Sequence, residues 1–197
     1  MRVLTCSLLF SICLFAQGHE ASRLFPIPEG MDKTWPDAVL SDSEKKLLKE
    51  AVEPGLRLLD CEEKPTFDSL DKTSIALGRL GNGVLVATNS RCSCGGTGNC
   101  PIYLYVREKS RYREVLGNGR WAPYSWAFAV VNSKTGTPDI VLATHSSARQ
   151  VSLTKYRYVG DRFVPQACET LTAKNAESGP KSWWDPNEVL VQPCEKH

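Results

Sequence analysis

Cys92, Cys94 and Cys100 stand close together, and a histidine follows at His145. Three thiolates and an imidazole form a recognised zinc donor set. The spacing Cys-x-Cys-x5-Cys matches no finger or knuckle, however, and the chain holds no Cys-x-x-Cys redox pair. The chemistry left to these thiols is oxidation to disulfides. Four of the five residues between Cys94 and Cys100 are Gly95, Gly96, Gly98 and Asn99, which tolerate the positive φ values of a tight covalent loop. Cys94 and Cys100 are therefore expected to pair. Cys61, Cys92, Cys168 and Cys194 supply longer clamps of open connectivity, with Cys168 and Cys194 tying down the C-terminal end. No metal and no cofactor are expected.

Three other constellations carry chemistry. Asp139, His145 and Ser147 share one face of a strand if that strand runs straight, which would make His145 the base of an exported hydrolase with Ser146 or Ser147 as nucleophile. Residues six apart on a strand lie about 20 Å apart, so Asp139 cannot orient His145 directly. No Gly-x-Ser-x-Gly elbow is present either. Glu108 and Glu114 flank a turn and could form a glycosidase pair, but a solvated surface pair is the plainer expectation. The aromatic residues Trp121, Tyr124, Trp126, Trp183 and Trp184 are the candidate binding residues, because exposed Trp and Tyr serve as protein-binding hot spots. Adjacent Trp183 and Trp184 cannot share one side of an extended backbone, so one is expected on the core and the other exposed.

The elements that must position these residues begin with a leader. Met1-Arg2, the apolar run Val3 to Phe15 and the small residues Ala16 and Gly18 read as a secretory signal peptide over residues 1–18. Its apolar run is shorter than the ~20 residues a bilayer span needs. The mature chain is thus expected to have no membrane span and to be secreted or periplasmic. Past the leader, six of the eight cysteines remain, an even number suited to that oxidising compartment. Arg2 leaves with the leader, so 23 basic residues face 22 acidic ones, without the basic excess that nucleic acid binding demands.

Residues 19–40 read as an extended arm. Ser41 and Glu44 then form a capping box, and Leu47, Leu48, Ala51 and Val52 follow at helical spacing until Pro54-Gly55, predicting one amphipathic helix over residues 42–53. From about residue 67 to 167, short apolar segments alternate with turn residues such as Gly81-Asn82-Gly83 and Gly160-Asp161. Loops that short join antiparallel neighbours. The chain is expected to be mainly β, an antiparallel meander forming a sandwich or partial barrel with one N-terminal helix. The domain covers residues 41–170, and a disulfide-anchored, loop-rich arm covers residues 171–197. Both faces of Ile140-Val141-Leu142-Ala143 are apolar, which marks a strand covered on both sides.

Val130-Val131-Asn132-Ser133-Lys134-Thr135-Gly136-Thr137-Pro138-Asp139-Ile140-Val141-Leu142-Ala143 resembles the repeat of FG-GAP and VCBS propeller proteins. In those repeats an acidic calcium loop precedes Gly-x-Pro-Asp. Leu80-Gly81-Asn82-Gly83-Val84-Leu85-Val86-Ala87-Thr88 resembles a more degenerate copy. The resemblance aligns Val131, Ser133 and Thr135 with the loop's oxygen positions and retains Asp139 alone, too few ligands for calcium. A wider pattern, from Cys94-Gly-x-x-Gly-Asn-Cys100-Pro to Tyr156-Arg-Tyr-x-Gly-Asp-Arg-Phe163, is similar to exported bacterial β-domain proteins of unassigned function. It implies an exported β domain and no activity.

The leading expectation is a disulfide-stabilised binding or interaction module for a protein or ligand of the cell envelope. The alternatives are a hydrolase using His145 and its polar neighbours, or an inhibitor-like component of the envelope.

Overall fold

A computed structural model describes residues 36–57, 59, 61–88, 94, 99–116, 123–124, 126–130, 134–175, 177 and 179–194, the main chain alone for 123–124 and 126–130. Residues 1–18, expected as a leader, most of the expected arm, Cys92 and Trp121 lie outside the described residues.

Ser41 starts the first element as its spacing to Glu44 predicts. The Ser41 N–H donates to Glu44 Oε2 at 3.0 Å, and the Glu44 N–H donates to Ser41 Oγ at 3.4 Å. The Ser41 hydroxyl also donates to Glu44 Oε2, at 2.7 Å, and this bond, with the Ser41 N–H and nearby Arg107 adding to it, holds the Glu44 carboxyl below its ordinary pKa. Helix α1 spans Asp42–Arg57 and so runs a turn beyond the expected end, with Pro54 inside it. Proline costs the helix one hydrogen bond, but Leu56 in that extra turn is 5% exposed. Its burial is worth on the order of 2 kcal/mol and offsets much of that loss.

Ten strands follow among the described residues. β1 (Asp71–Ala76), β2 (Asn82–Ala87), β3 (Cys100–Glu108) and β4 (Arg111–Glu114) form the first sheet in that order, and β5 (Pro123–Tyr124) adds to β3. The second sheet holds β6 (Trp126–Val130), β7 (Asp139–Ser147), β8 (Gln150–Val159), β9 (Arg162–Ala173) and β10 (Val189–Pro193), again in sequence order. Every ladder is antiparallel. The meander is as expected.

Period-two alternation sorts the side chains into layers. Leu85, Ile102, Leu104 and Val106 of the first sheet meet Ile140, Leu142 and Phe163 of the second, and this is the sandwich core. The other face of the first sheet, with Val84, Val86, Tyr103, Tyr105 and Tyr112, packs on Leu48, Val52 and Leu56 of α1. The two sheets also join at a margin, where the Phe163 N–H donates to the Val115 carbonyl at 2.6 Å and Leu116 bridges to Phe163. The result is a sandwich, with no closed barrel among the described residues.

The first strand ends at Ala76, and Gly78–Leu80 forms a 3-10 turn. Gly78 has φ 60°, and a Cβ there would lie 2.0 Å from the Gly136 carbonyl oxygen, so only glycine fits this crossing. β9 runs to Ala173 and pairs with β10, so the segment expected as a loop-rich arm from residue 171 contributes to the sheet as well as to a loop. A register shift between Lys155 and Tyr156 moves β9 to the opposite parity. Ala167, Glu169 and Leu171 then share a face that unbroken alternation from Phe163 would not give them.

Candidate functional site

Strand β6 begins at Trp126, opposite Ala143, while β7 continues to Ser147. Beyond Ala143, β7 therefore has no strand partner on that edge among the described residues. The side chain of Asn99 takes the place of one. Its Oδ1 accepts from the His145 N–H at 2.8 Å, and its Nδ2 donates to the His145 carbonyl at 2.6 Å. Asn99 is buried and precedes Cys100, whose disulfide to Cys94 closes the neighbouring loop. That closure is worth about 2 kcal/mol in the chain-entropy model. The expected Cys94–Cys100 pair thus stands beside the contact that fixes the start of β3 to the second sheet.

The His145 ring lies on the outer face of the second sheet, edge-on to Trp183 with ring centroids 6.1 Å apart. Trp183 and Trp184 both pack against Val141, Ala143, Val151, Leu153, Leu171 and Val189, and both are half-buried. The expectation that they face opposite ways fails because they occupy a turn and not an extended segment. In that turn Ser182 Oγ accepts from the Trp184 N–H at 3.2 Å, and the Glu188 carboxylate accepts from the Lys181 and Ser182 N–H groups. The Cys168–Cys194 disulfide clamps the ends of this segment, with the Cys194 N–H donating to the Cys168 carbonyl at 3.1 Å. A loop of that length is worth about 3.5 kcal/mol in the same model. Cys61 is likewise disulfide-bonded.

Glu169 lies under the same face, with Leu153 and Pro193 as its strand neighbours, and is 0% exposed. Neither Glu169 nor Asn99 is apparent from sequence. The parity shift in β9 hides Glu169, and spacing marks Asn99 only as a loop residue tolerant of positive φ.

The hydrolase constellation is not assembled. Asp139 is buried and receives both forks of Arg157, Nε at 3.1 Å and Nη2 at 2.9 Å. Its role is a bidentate ion pair across β7 and β8, in place of the hydrolase constellation. Ser146 Oγ bonds Ser152 Oγ at 3.0 Å, and Ser147 Oγ accepts from the Arg149 N–H at 3.1 Å. A register shift between His145 and Ser147 also breaks the parity that would have aligned them.

Glu108 and Glu114 do not form a solvated surface pair. Register puts Glu114 opposite Tyr105, on the helix-facing side of the first sheet, and Glu108 opposite Arg111 on the other side. Glu108 is held by Arg113 and Arg111, which keep its carboxyl below the ordinary range. Glu114 has no such partner among the described residues. Its Oε1 is buried without a hydrogen bond, and burial raises its pKa above the ordinary carboxyl value. Burial, together with the same carboxylate, pushes the hydroxyls of Tyr103 and Tyr105 upward. A raised carboxyl pKa means that the fold holds its proton more tightly than the unfolded chain does. The contribution is fully present below the unfolded pKa and is lost as pH rises through the folded one. Glu114→Gln keeps the shape and removes the charge that burial disfavours, and is accordingly expected to stabilise the protein at pH 7 by about 1 kcal/mol. Urea melts at pH 7 and pH 4 check this: the gain should vanish at pH 4, and an equal gain at both would contradict it.

For Tyr124 and Trp126 the main chain is placed, opposite Cys100 and Ala143 respectively. A cavity of about 450 Å³ lies elsewhere, between α1 and the Pro65–Asp68 segment, lined by Lys49, Leu56, Lys64 and Phe67 among others. None of the expected site residues lines it. Among the described residues no group of three or more His, Cys, Asp or Glu side chains is arranged to hold a metal ion, and no helix is long and apolar enough to cross a membrane. No family model, curated protein or solved structure matches the chain.

Proposed function

We propose that the chain is an exported binding module that acts through the disulfide-braced outer face of the second sheet around Trp183 and Trp184. The observation that carries this reading is the contrast between two sets of side chains. Asp139, Ser146 and Ser147 are committed to Arg157, Ser152 and the Arg149 N–H, in positions that serve the sheet. Trp183 and Trp184 stay partly exposed on a turn within the segment that the Cys168–Cys194 disulfide closes. Rigidly held aromatic surface binds at low entropic cost, since little freedom is left to lose on association. The disulfides and the absence of a membrane-spanning helix among the described residues accord with an oxidising location outside the cytoplasm. The leader at residues 1–18 supports export.

The test is capture of partners from envelope extract by the mature chain, compared with a Trp183→Ala/Trp184→Ala variant whose far-UV circular dichroism is unchanged. The variant should lose at least tenfold of the specifically retained partner, as removal of hot-spot residues does. Equal retention by both proteins would place recognition elsewhere.

A further inference from the structure

The antiparallel register gathers a set of charges at the end of the sandwich remote from Trp183. The β3–β4 hairpin, closed where Glu108 pairs with Arg111, brings Arg107, Lys109, Arg111 and Arg113 to this end. The β8–β9 hairpin, closed where Val159 pairs with Arg162, brings Arg157 and Arg162. Arg79 joins them from the 3-10 turn, where its N–H donates to the Gly136 carbonyl at 3.1 Å and its Nε to Thr137 Oγ1 at 3.2 Å. That same β6–β7 turn carries Lys134. The two hairpins are tied together, because Arg113 donates to the Asp161 carbonyl and, at 3.3 Å, to the Tyr158 hydroxyl.

These turns hold eight of the chain's 24 basic residues and, in Glu108, Asp139 and Asp161, three of its 22 acidic ones. The start of α1 adds Asp42 and Glu44 against Lys45 and Lys46, which leaves the excess unchanged. A chain close to neutral overall is thus strongly basic at one pole. Six of the eight cations, Arg79, Arg107, Lys109, Arg111, Lys134 and Arg162, are exposed. Arg113 and Arg157 are oriented by their bonds to Glu108 and Asp139. Exposed ion pairs such as Arg162 with Asp161 contribute little energy and exchange readily for a stronger anion.

We propose that this pole binds an extended anionic polysaccharide. The charges spread over two hairpin tips and two turns and do not converge on one point, which suits a polymer with repeated anionic groups. Six of the eight are arginine, whose planar fork matches carboxylate and sulfate oxygens bidentately. Binding of this kind releases counterions from the polymer, so its affinity falls linearly with salt on logarithmic axes.

The experiment uses the mature chain with polygalacturonate as a carboxylate polymer, heparin as a sulfate polymer and dextran as the neutral control. A pole variant, Arg111→Ser/Lys109→Ser/Arg162→Ser, is compared with an equally charged variant, Lys49→Ser/Lys64→Ser/Lys174→Ser, altered away from the pole. Expected are binding to one or both anionic polymers and none to dextran, at least a tenfold loss and a shallower salt slope for the pole variant, and less than a twofold loss for the other. Which polymer binds tells the carboxylate source from the sulfate source. Equal losses in the two variants, no binding to either polymer in 50 mM salt, or preference for anionic phospholipid vesicles or DNA would each overturn the proposal.

Discussion

Replacing Phe163 by alanine is expected to lower the unfolding free energy by about 3–5 kcal/mol, the range for deleting a fully buried phenylalanine. Phe163 is 2% exposed and is among the largest fully buried side chains. It packs with Leu116, Ile140 and Leu142, and its ring meets the Tyr158 ring edge-on with centroids 5.3 Å apart. The same residue donates its N–H to Val115 where the two sheets join. A cavity at this point would open the sandwich at its margin, where β4 has no further strand to hold it among the described residues. Small domains are stable by only about 5–15 kcal/mol, so the loss is a large share of the total. Phe163→Leu keeps most of the volume and should cost less than about 1.5 kcal/mol. Urea unfolding of both variants checks the pair. A loss below about 1 kcal/mol for the alanine variant would mean that the sheets do not meet at Phe163.

The layers were readable because their signals are local. The Ser41–Glu44 capping box, the Leu48 and Val52 stripe and the apolar run Ile140 to Ala143 each follow from spacing that no distant contact alters. The Cys94–Cys100 pair was readable for the same reason, since the glycines that permit its loop lie inside it. Long-range features were not readable. Nothing near Asn99 indicates that its amide completes the edge of β7, because the missing strand partner exists only once β6 has begun opposite Ala143. The partnership of Asp139 with Arg157 joins two strands, whereas local spacing assigns Asp139 to its own turn. Glu114 alternates as a surface residue would, and only the packing of α1 over Tyr103 and Tyr105 makes its side of the sheet an interior. Register shifts at His145 and Lys155 altered parity where no glycine announced them. The basic pole is hidden in the sequence because its cations come from four turns that are far apart along the chain, and the near-neutral total conceals them.

Asn99→Ala should destabilise the protein by about 2–4 kcal/mol, because it deletes two hydrogen bonds and leaves the His145 N–H and carbonyl facing a partly dry junction. The effect should also be local. His145 touches Trp183, so displacement of β7 at that point is expected to change tryptophan fluorescence in the folded state, before any global unfolding. Asn99→Asp separates the two bonds. An ionised aspartate can still accept from the His145 N–H, but it has no donor for the carbonyl and sets a negative charge against it. At pH 7 it should therefore be about as destabilising as alanine. Protonation restores a hydroxyl donor, so the aspartate variant should gain on the alanine variant as pH falls through the carboxyl range. Paired urea melts at pH 7 and pH 4 with a fluorescence readout would reveal this. An aspartate variant as stable as the parent at pH 7 would show that the His145 carbonyl does not depend on Asn99. The amide would then be an incidental contact of the disulfide loop and not the missing strand edge.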